Sequence, residues 1–394
     1  MNSEQILKKI DFFNDELINL RRHIHAHPEL SGLENQTAIL ISGYLKNIGW
    51  NVTESVGRTG VIADIGPLDK GIIGLRVDMD ALPIFEETKL SFSSKVDGVM
   101  HACGHDLHIT IGLGVAKIVK DLNLNFGTRI IFQPAEEIAS GARWMIKDGA
   151  TNGLTNILGV HVYPDLPVGT VGIKEGSLTA AAGELRIEIK GKSGHGARPH
   201  EGVDSIWVAS KVISGIQELI TRQLDPLDPV VITFGKINGG SAFNVIAEKV
   251  NLVGTVRCTN PKLFKNIGNW LSENISLIAN SCGADAKVIF REITPPVNNN
   301  LHINKVFRDS AIKVLGREYV LELQKPSLGA EDFAEFLNEI PGAMFRLGVS
   351  GSKGCAPLHS SKFNPDERAI AVGIKVITES IVKLNNEIIN KMDK

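Results

Sequence analysis

A chain of 394 residues is longer than one hydrophobic core serves, because single cores stop growing near about 250–300 residues, so two domains are expected. Hydrophobic residues make up 43% and charged residues 22%, enough apolar material for packed cores and too much for a disordered chain. The 42 Lys and Arg stand against 44 Asp and Glu, for a formal charge of -2, with no basic stripe, which excludes nucleic acid as a partner class.

No apolar run approaches the roughly 18 residues of a membrane span, and no membrane association is expected. The first twenty residues mix Lys8, Lys9, Asp11, Asp15 and Glu16 among apolar positions, unlike a signal peptide. Cys103, Cys258, Cys282 and Cys355 are far apart and too few for a disulfide framework. A soluble, cytoplasmic protein with reduced thiols is expected.

In chain order, Ile6, Ile10, Phe13, Leu17, Leu20 and Ile24 recur at spacings of three and four, with Ser3 as N-cap and Pro28 as terminator, which predicts an amphipathic helix. Short branched-residue runs at 72–77, 129–133 and 158–162, separated by helical patterns such as 109–119, predict an α/β sheet covered by helices. From about Gly183 the texture changes to a strand at 185–189, a helix at 203–223, strands at 230–234 and 250–258, a helix at 261–280 and a strand at 286–292. That β-α-β-β-α-β order is the ferredoxin-like unit. Thr294, Pro295 and Pro296 then punctuate a return. The expected fold is α/β, with a discontinuous larger α/β domain (1–182 and 298–394) interrupted by an inserted ferredoxin-like α+β domain (183–297).

The densest cluster of potential ligands is Met100-His101-Ala102-Cys103-Gly104-His105-Asp106. Two residues apart on an extended loop, Cys103 and His105 point the same way, and a thiolate with an imidazole suits zinc and neighbouring first-row metals. Asp106 would cap the next helix or orient an imidazole. A turn with a buried cysteine and a solvated histidine accounts for the same string. Beyond Gln133, Pro134 and Ala135 lead to Glu136-Glu137, adjacent carboxylates expected to diverge, one toward a metal and one toward water as general base. The plainer alternative is an acidic helix N-terminus.

Asp78 and Asp80 project from the carboxyl end of the strand that starts at Ile72, the edge where open α/β sheets build sites, although aspartates there are also ordinary turn residues. His161, inside the apolar run 158–162, and His359, in Pro357-Leu358-His359-Ser360-Ser361, each read singly as a core or loop histidine. Their combination is what points to a metal.

Taken in order, the strings Arg21-Arg22-His23-Ile24-His25-Ala26-His27-Pro28-Glu29-Leu30, Arg76-Val77-Asp78-Met79-Asp80-Ala81-Leu82-Pro83, His101 to Asp106, Gln133-Pro134-Ala135-Glu136-Glu137, Gly194-His195-Gly196-Ala197-Arg198-Pro199-His200 and Pro357-Leu358-His359-Ser360 span most of the chain. Together they resemble the aminoacylase and hippurate hydrolase family of metallopeptidases, in particular the branch with plant hydrolases of indoleacetyl-amino acid conjugates. The resemblance implies two divalent ions per chain held by Cys103, His105, Glu137, His161 and His359, with the thiolate bridging. It implies Glu136 as general base and Asp80 as a carboxylate that orients a ligand. Aminopeptidase relatives carry an aspartate where Cys103 stands; thiolate favours zinc while relatives in this branch work with manganese, so Mn2+ and Zn2+ both stay open. The inserted domain is implied to be a lid or dimerisation domain. His195 there would reach across a homodimer to stabilise the oxyanion, and Asn244 and Arg257 would hold the substrate's carboxylate or its reacting carbonyl.

The expected activity is metal-assisted hydrolysis of a small-molecule N-acyl amino acid to a carboxylic acid and an amino acid, with Glu136 moving the proton. The alternatives are a metal-dependent dipeptidase or carboxypeptidase on the same scaffold, an inert metal-binding interaction protein, and a thiol hydrolase using Cys103. Filled ligand and base positions argue against inertness. A thiol nucleophile would leave Glu136, Glu137, His161 and His359 without a role.

Overall fold

In a computed structural model that describes residues 3–392, the N-terminal apolar stripe forms helix α1 (Ser3–Ala26), burying Ile10, Leu17 and Ile24 and stopping short of Pro28. The side chain of Ser3, expected as its cap, lies outside the described residues. Next come α2 (Asn35–Asn47), β1 (Asn51–Val56), β2 (Gly60–Ile65), β3 (Ile72–Asp78), α3 (His105–Val119), β4 (Gly127–Gln133), α4 (Gly141–Lys147), β5 (Leu154–Pro167), β6 (Val171–Ile173) and β7 (Gly176–Ser177). A second run comprises β8 (Ala181–Lys190), β9 (Gly194–His195), α5 (Ser205–Gln223), β10 (Val230–Gly239), β11 (Val245–Ile246), β12 (Lys249–Cys258), α6 (Pro261–Ser281) and β13 (Asp285–Thr294). The chain ends with β14 (Asn298–Asn299), α7 (Leu301–Leu315), β15 (Val320–Glu322), α8 (Phe333–Leu337), β16 (Gly342–Ser350) and α9 (Ala369–Met392). No helix among the described residues is long and apolar enough to cross a membrane.

Two compact units result: Met1–Leu178 with Val297–Lys325 and Asp332–Lys394, and Thr179–Pro296 with Pro326–Glu331. The segment 326–331 groups with the second unit because Thr179 bridges Ser327 and the Ala180 N–H donates to the Gly329 carbonyl (3.2 Å).

The first unit carries an eight-stranded sheet in the order β1-β2-β4-β3-β5-β16-β6-β15. At its centre β3 lies parallel to β4 and β5, and all seven of its residues are buried, as expected of a strand covered on both faces. Helix α3 packs against α1, α9 and the sheet and is buried nearly all round, its polar His105, Asp106, His108 and Thr110 included. It begins four residues earlier than the pattern at 109–119 predicts. Gly104 makes that start possible: its φ is +83°, and a Cβ there would come within 2.6 Å of Val162 Cγ2. Asp106 therefore sits inside the first turn and is not the N-cap.

The second unit has a four-stranded antiparallel sheet, β10-β12-β8-β13, packed with α5 and α6. Along β8, Leu185, Ile187 and Ile189 are buried while Glu184, Arg186 and Glu188 face outward, the period of two that a half-covered sheet requires. The helices begin at side-chain caps: Asp204 accepts the Ile206 N–H (2.9 Å), and Asn260 accepts those of Lys262 (2.9 Å) and Leu263 (3.2 Å).

One charged side chain interrupts the core of the first unit. Arg76 in β3 is fully buried and donates to Gln133 Oε1 (2.8 Å), Asp78 Oδ2 (2.7 Å) and Asp332 Oδ1 (2.9 Å). Asp332 Oδ2 accepts the Ala142 N–H (3.0 Å) at the start of α4, so one guanidinium ties β3, β4, α4 and the C-terminal part of the chain. Removing one partner of such a group leaves the others buried and uncompensated. Arg76→Met is therefore expected to destabilise the first unit by about 3–5 kcal/mol, read as a lower urea midpoint; a midpoint equal to wild type would show the guanidinium to be dispensable.

Candidate metal centre

Parallel strands β3 and β4 end level with each other, Asp78 opposite Gln133, so the segments after them leave the carboxyl edge of the sheet side by side. The segment after β4 is a tight turn in which Ala135 (φ +53°) and Ala139 (φ +49°) adopt the left-handed region. The turn closes on Gly141, where a Cβ would fall 1.6 Å from the Pro134 carbonyl oxygen. Between β4 and α4 the described chain forms no helix, which removes the acidic-helix reading of Glu136-Glu137. Nor do the two carboxylates diverge as expected. An oxygen of each and a ring nitrogen of His105 lie within 4.8 Å of one another, because the left-handed turn rotates both side chains toward the same place.

Asp80 holds this turn. Its carboxylate accepts the Glu136 N–H (3.1 Å), the Glu137 N–H (3.0 Å) and the Ser31 hydroxyl (2.6 Å), while its carbonyl accepts the His105 Nδ1–H (2.8 Å). With Nδ1 committed, His105 Nε2 faces Asp78 Oδ1 (3.7 Å) and Glu137 Oε1 (3.9 Å). The same pattern recurs at His161, whose Nδ1–H donates to the Val162 carbonyl (2.7 Å) and whose Nε2 lies 3.5 Å from Cys103 Sγ. The Val162 N–H in turn donates to His108 Nε2 (2.9 Å), and His108 Nδ1–H to Asp78 Oδ1 (2.5 Å). One ring nitrogen fixed by an oxygen and the other turned inward is how proteins orient imidazoles for metals. His359 joins from a loop: its φ is +65°, its N–H donates to the Ala102 carbonyl (2.9 Å), and its Nε2 lies 3.5 Å from Glu137 Oε2.

Ligand atoms of Cys103, His105 and His161 lie within 4.8 Å of one another, as do those of Cys103, Glu137 and His359. Cys103 belongs to both sets. His105 Nε2 and Glu137 Oε1 are buried without a hydrogen-bond partner, a costly state for polar atoms that a cation would relieve. The electrostatics agree. Burial and the Glu137 charge push the Cys103 thiol well up, and burial, against the pull of His105, raises Glu137 to about 7. At His105 burial opposes a proton, but Asp78, Cys103 and Asp80 outweigh it and favour positive charge there. Burial, with His108 and Arg346, keeps His161 neutral. Buried donors that hold few charges of their own, gathered around a preference for positive charge, fit a divalent cation.

The remaining expected site residues belong to the second unit. His195 in β9 pairs with Val245 in β11, its side chain is exposed, and its Nδ1 accepts the Ala197 N–H (3.1 Å). Gly196 N–H donates to the Asn244 carbonyl (2.8 Å), which puts Asn244 beside His195. Arg257 in β12 is half-buried, and its Nη1 is buried with no hydrogen-bond partner.

The sequence assigned no role to His25, Glu34, His108 or Asp332. Asp106 does orient an imidazole, but that of His25 (Nδ1 to Oδ2, 2.8 Å), with Arg21 Nε also 2.8 Å from the same oxygen. His108 carried a usable signal, one helical turn beyond His105 and just past the densest ligand cluster. Asp332 carried none, because its partner Arg76 is 256 residues away.

Comparison with known proteins adds to this geometry. The sequence pattern of peptidase family M20/M25/M40 matches residues 74–383. The N-acetyl-L-cysteine deacetylase of Bacillus subtilis is 39% identical over 372 residues, covering 94% of this chain and 88% of that one. An Arabidopsis thaliana IAA-amino acid hydrolase, ILR1-like 4, is 35% identical over 402 residues, covering 99% and 91%. Among solved structures, the Bacillus subtilis YXEP protein, a dinuclear metal binding peptidase, superposes with a TM-score of 0.84 at 35% identity over 95% of this chain and 99% of that one.

The cluster should respond to cations as a site. Adding Mn2+ or Zn2+ to chelator-treated protein is expected to raise the thermal midpoint, by about 2.7 kcal/mol of stabilisation at a hundredfold excess over Kd. Cys103→Ala should lose most of that increment, since Cys103 serves both donor sets. A midpoint indifferent to chelator and to both ions would show that the cluster holds no metal.

Proposed function

The chain belongs to peptidase family M20/M25/M40, and from that membership we propose that it is a metal-dependent amidohydrolase that cleaves N-acyl amino acids to a carboxylic acid and an amino acid. The observation that carries this reading is the Glu136-Glu137 turn, which brings two carboxylates to one imidazole among further metal-type donors. We infer two divalent ions, Mn2+ or Zn2+, held by Cys103, His105, Glu137, His161 and His359 with Cys103 shared, a reading supported by the two overlapping donor sets and by the dinuclear relative. Such ions, when bound, supply Lewis acidity that acidifies water and draws charge from a carbonyl oxygen.

The protein's own groups do the rest. Glu136 takes a proton from the attacking water as its oxygen bonds the acyl carbon, and returns it to the amine nitrogen as the C–N bond breaks. Asp80 keeps Glu136 in place through its backbone and fixes the His105 tautomer. The unpartnered Arg257 Nη1 supports a guanidinium that receives the free carboxylate of the substrate in two bonds, with Asn244 as a second polar contact. A thiol nucleophile is disfavoured, because burial pushes the Cys103 thiol up, opposite to the activation that nucleophilic cysteines need.

The second unit reads as a ferredoxin-like lid and dimerisation domain. Its strand order supports the first term, and the exposed Ile206, Trp207, Phe243 and Val245 leave apolar surface that supports pairing with a second copy. His195 then acts on the oxyanion of the partner subunit's site. Four free cysteines support a reducing, cytoplasmic setting.

Glu136→Gln is expected to lower turnover of N-acetyl amino acids by at least about 100-fold with metal content nearly intact. Glu137→Gln should instead lose metal. Exchanged phenotypes, measured by kinetics and elemental analysis, would reverse the assignment within the pair.

Action of His195 in trans has its own test. Co-expressed His195→Ala and Glu136→Gln chains, each inactive alone and separated as a two-tag hybrid, should regain up to about half of one dimer's activity, since one site per hybrid has both residues. A hybrid as inactive as its parents, or a fully active wild-type monomer, would rule the arrangement out.

A further inference from the structure

Glu34 occupies the N-cap position of α2, where an acidic side chain ordinarily bonds the first helical N–H groups, yet it makes no capping bond. Glu29 takes those groups instead, accepting Gln36 N–H (3.1 Å), Thr37 N–H (2.8 Å) and the Thr37 hydroxyl (2.9 Å). Glu34 is thereby released to turn inward. Fully buried, it accepts Gly32 N–H (2.8 Å) and Ala135 N–H (2.9 Å) on Oε1 and the Thr59 hydroxyl (2.5 Å) on Oε2.

The Ala135 contact matters most. Ala135 has the left-handed φ of +53°, which residues bearing a Cβ resist, and rotation there swings the chain beyond it. The next two residues are Glu136 and Glu137, whose own N–H groups end on Asp80. The N–H groups of residues 135, 136 and 137 thus all end on buried carboxylates: the first on Glu34, the other two on Asp80. Asp80 holds the turn from the far side of the rotation, and Glu34 holds its near end.

We propose that Glu34 is a positioning residue for hydrolysis: by accepting the Ala135 N–H it maintains the left-handed turn that aims the Glu136 and Glu137 carboxylates at His105. This rests on the reading of Glu136 as base and Glu137 as metal ligand. A merely structural Glu34 would act through Gly32 and Thr59 alone, and the two roles respond differently to substitution.

The test uses the full chain loaded with Mn2+ and assayed on N-acetyl amino acids, with kcat, KM, metal retained after dialysis and thermal midpoint measured for each variant. Glu34→Gln keeps the reach, its carbonyl accepting from Ala135 and its amide donating to Thr59, and should hold kcat within about 3-fold. Glu34→Asp is one methylene short of Ala135 and should lower kcat by about 10- to 100-fold, with KM within about 2-fold and less metal retained. Adding Ala135→Gly, which adopts a positive φ without strain, should recover kcat by about 3-fold or more over Glu34→Asp alone.

Wild-type kcat and metal retention in Glu34→Asp would overturn the proposal. So would a loss that Ala135→Gly does not recover, or a folded Glu34→Gln that loses more than about 10-fold. If Glu34→Asp does not fold, a folded and active double variant supports the proposal and an unfolded one overturns it. The underlying reading fails separately, if Glu136→Gln keeps its turnover in a chain whose Glu34 is intact.

Discussion

The Asp80 carboxylate, 1% exposed, is the constraint on which the site depends. A buried negative charge is tolerable only when its lone pairs are used, and here two consecutive peptide N–H groups and a serine hydroxyl use them. Against the upward push of burial, His105, then the Ser31 hydroxyl and the Glu137 N–H, hold the Asp80 carboxyl below its ordinary range. The result is that the orientation of His105 and the path of the Glu136-Glu137 backbone both depend on one residue and cannot vary independently, with Glu34 holding the near end of the turn.

A second chain of contacts supports the other side of the cluster. Arg76 neutralises Asp78, Asp78 accepts from His108, His108 accepts from the Val162 peptide, and the Val162 carbonyl receives His161 Nδ1–H. Each link is short and buried, so the direction of His161 Nε2 is determined by a charge in the middle of the sheet. The second chain begins on β3, an otherwise apolar strand that carries Arg76 and Asp78, and the first begins at Asp80, two residues beyond its end.

Cys103 gives the cluster its mixed character. A soft thiolate shared between sets that also offer carboxylate and imidazole suits zinc through sulfur and manganese through oxygen. Burial and the neighbouring Glu137 make the thiolate unfavourable on its own, so a cation held by Cys103 would have to displace a proton from sulfur.

Much of this architecture is legible along the chain, because helix and strand patterns are local. The apolar spacing of α1, the branched runs of β3, β4 and β5, and the β-α-β-β-α-β texture after residue 180 arise from side-chain periods of 3.6 and 2 that need no distant partner. The donors that cluster are legible only in combination: Cys103, His105, Glu137, His161 and His359 each have an ordinary reading singly, and the structure brings their donor atoms close in overlapping sets. Tertiary structure alone decided the direction of each. That Glu136 and Glu137 converge is due to a positive φ at Ala135, which no alanine signals in sequence. That Glu34 leaves its helix cap is due to a contact 101 residues away, and that Arg76 can be buried is due to one 256 residues away. A sequence determines which groups are present within a few residues; the partners that satisfy a buried charge come from anywhere in the chain, and only folding brings them within reach.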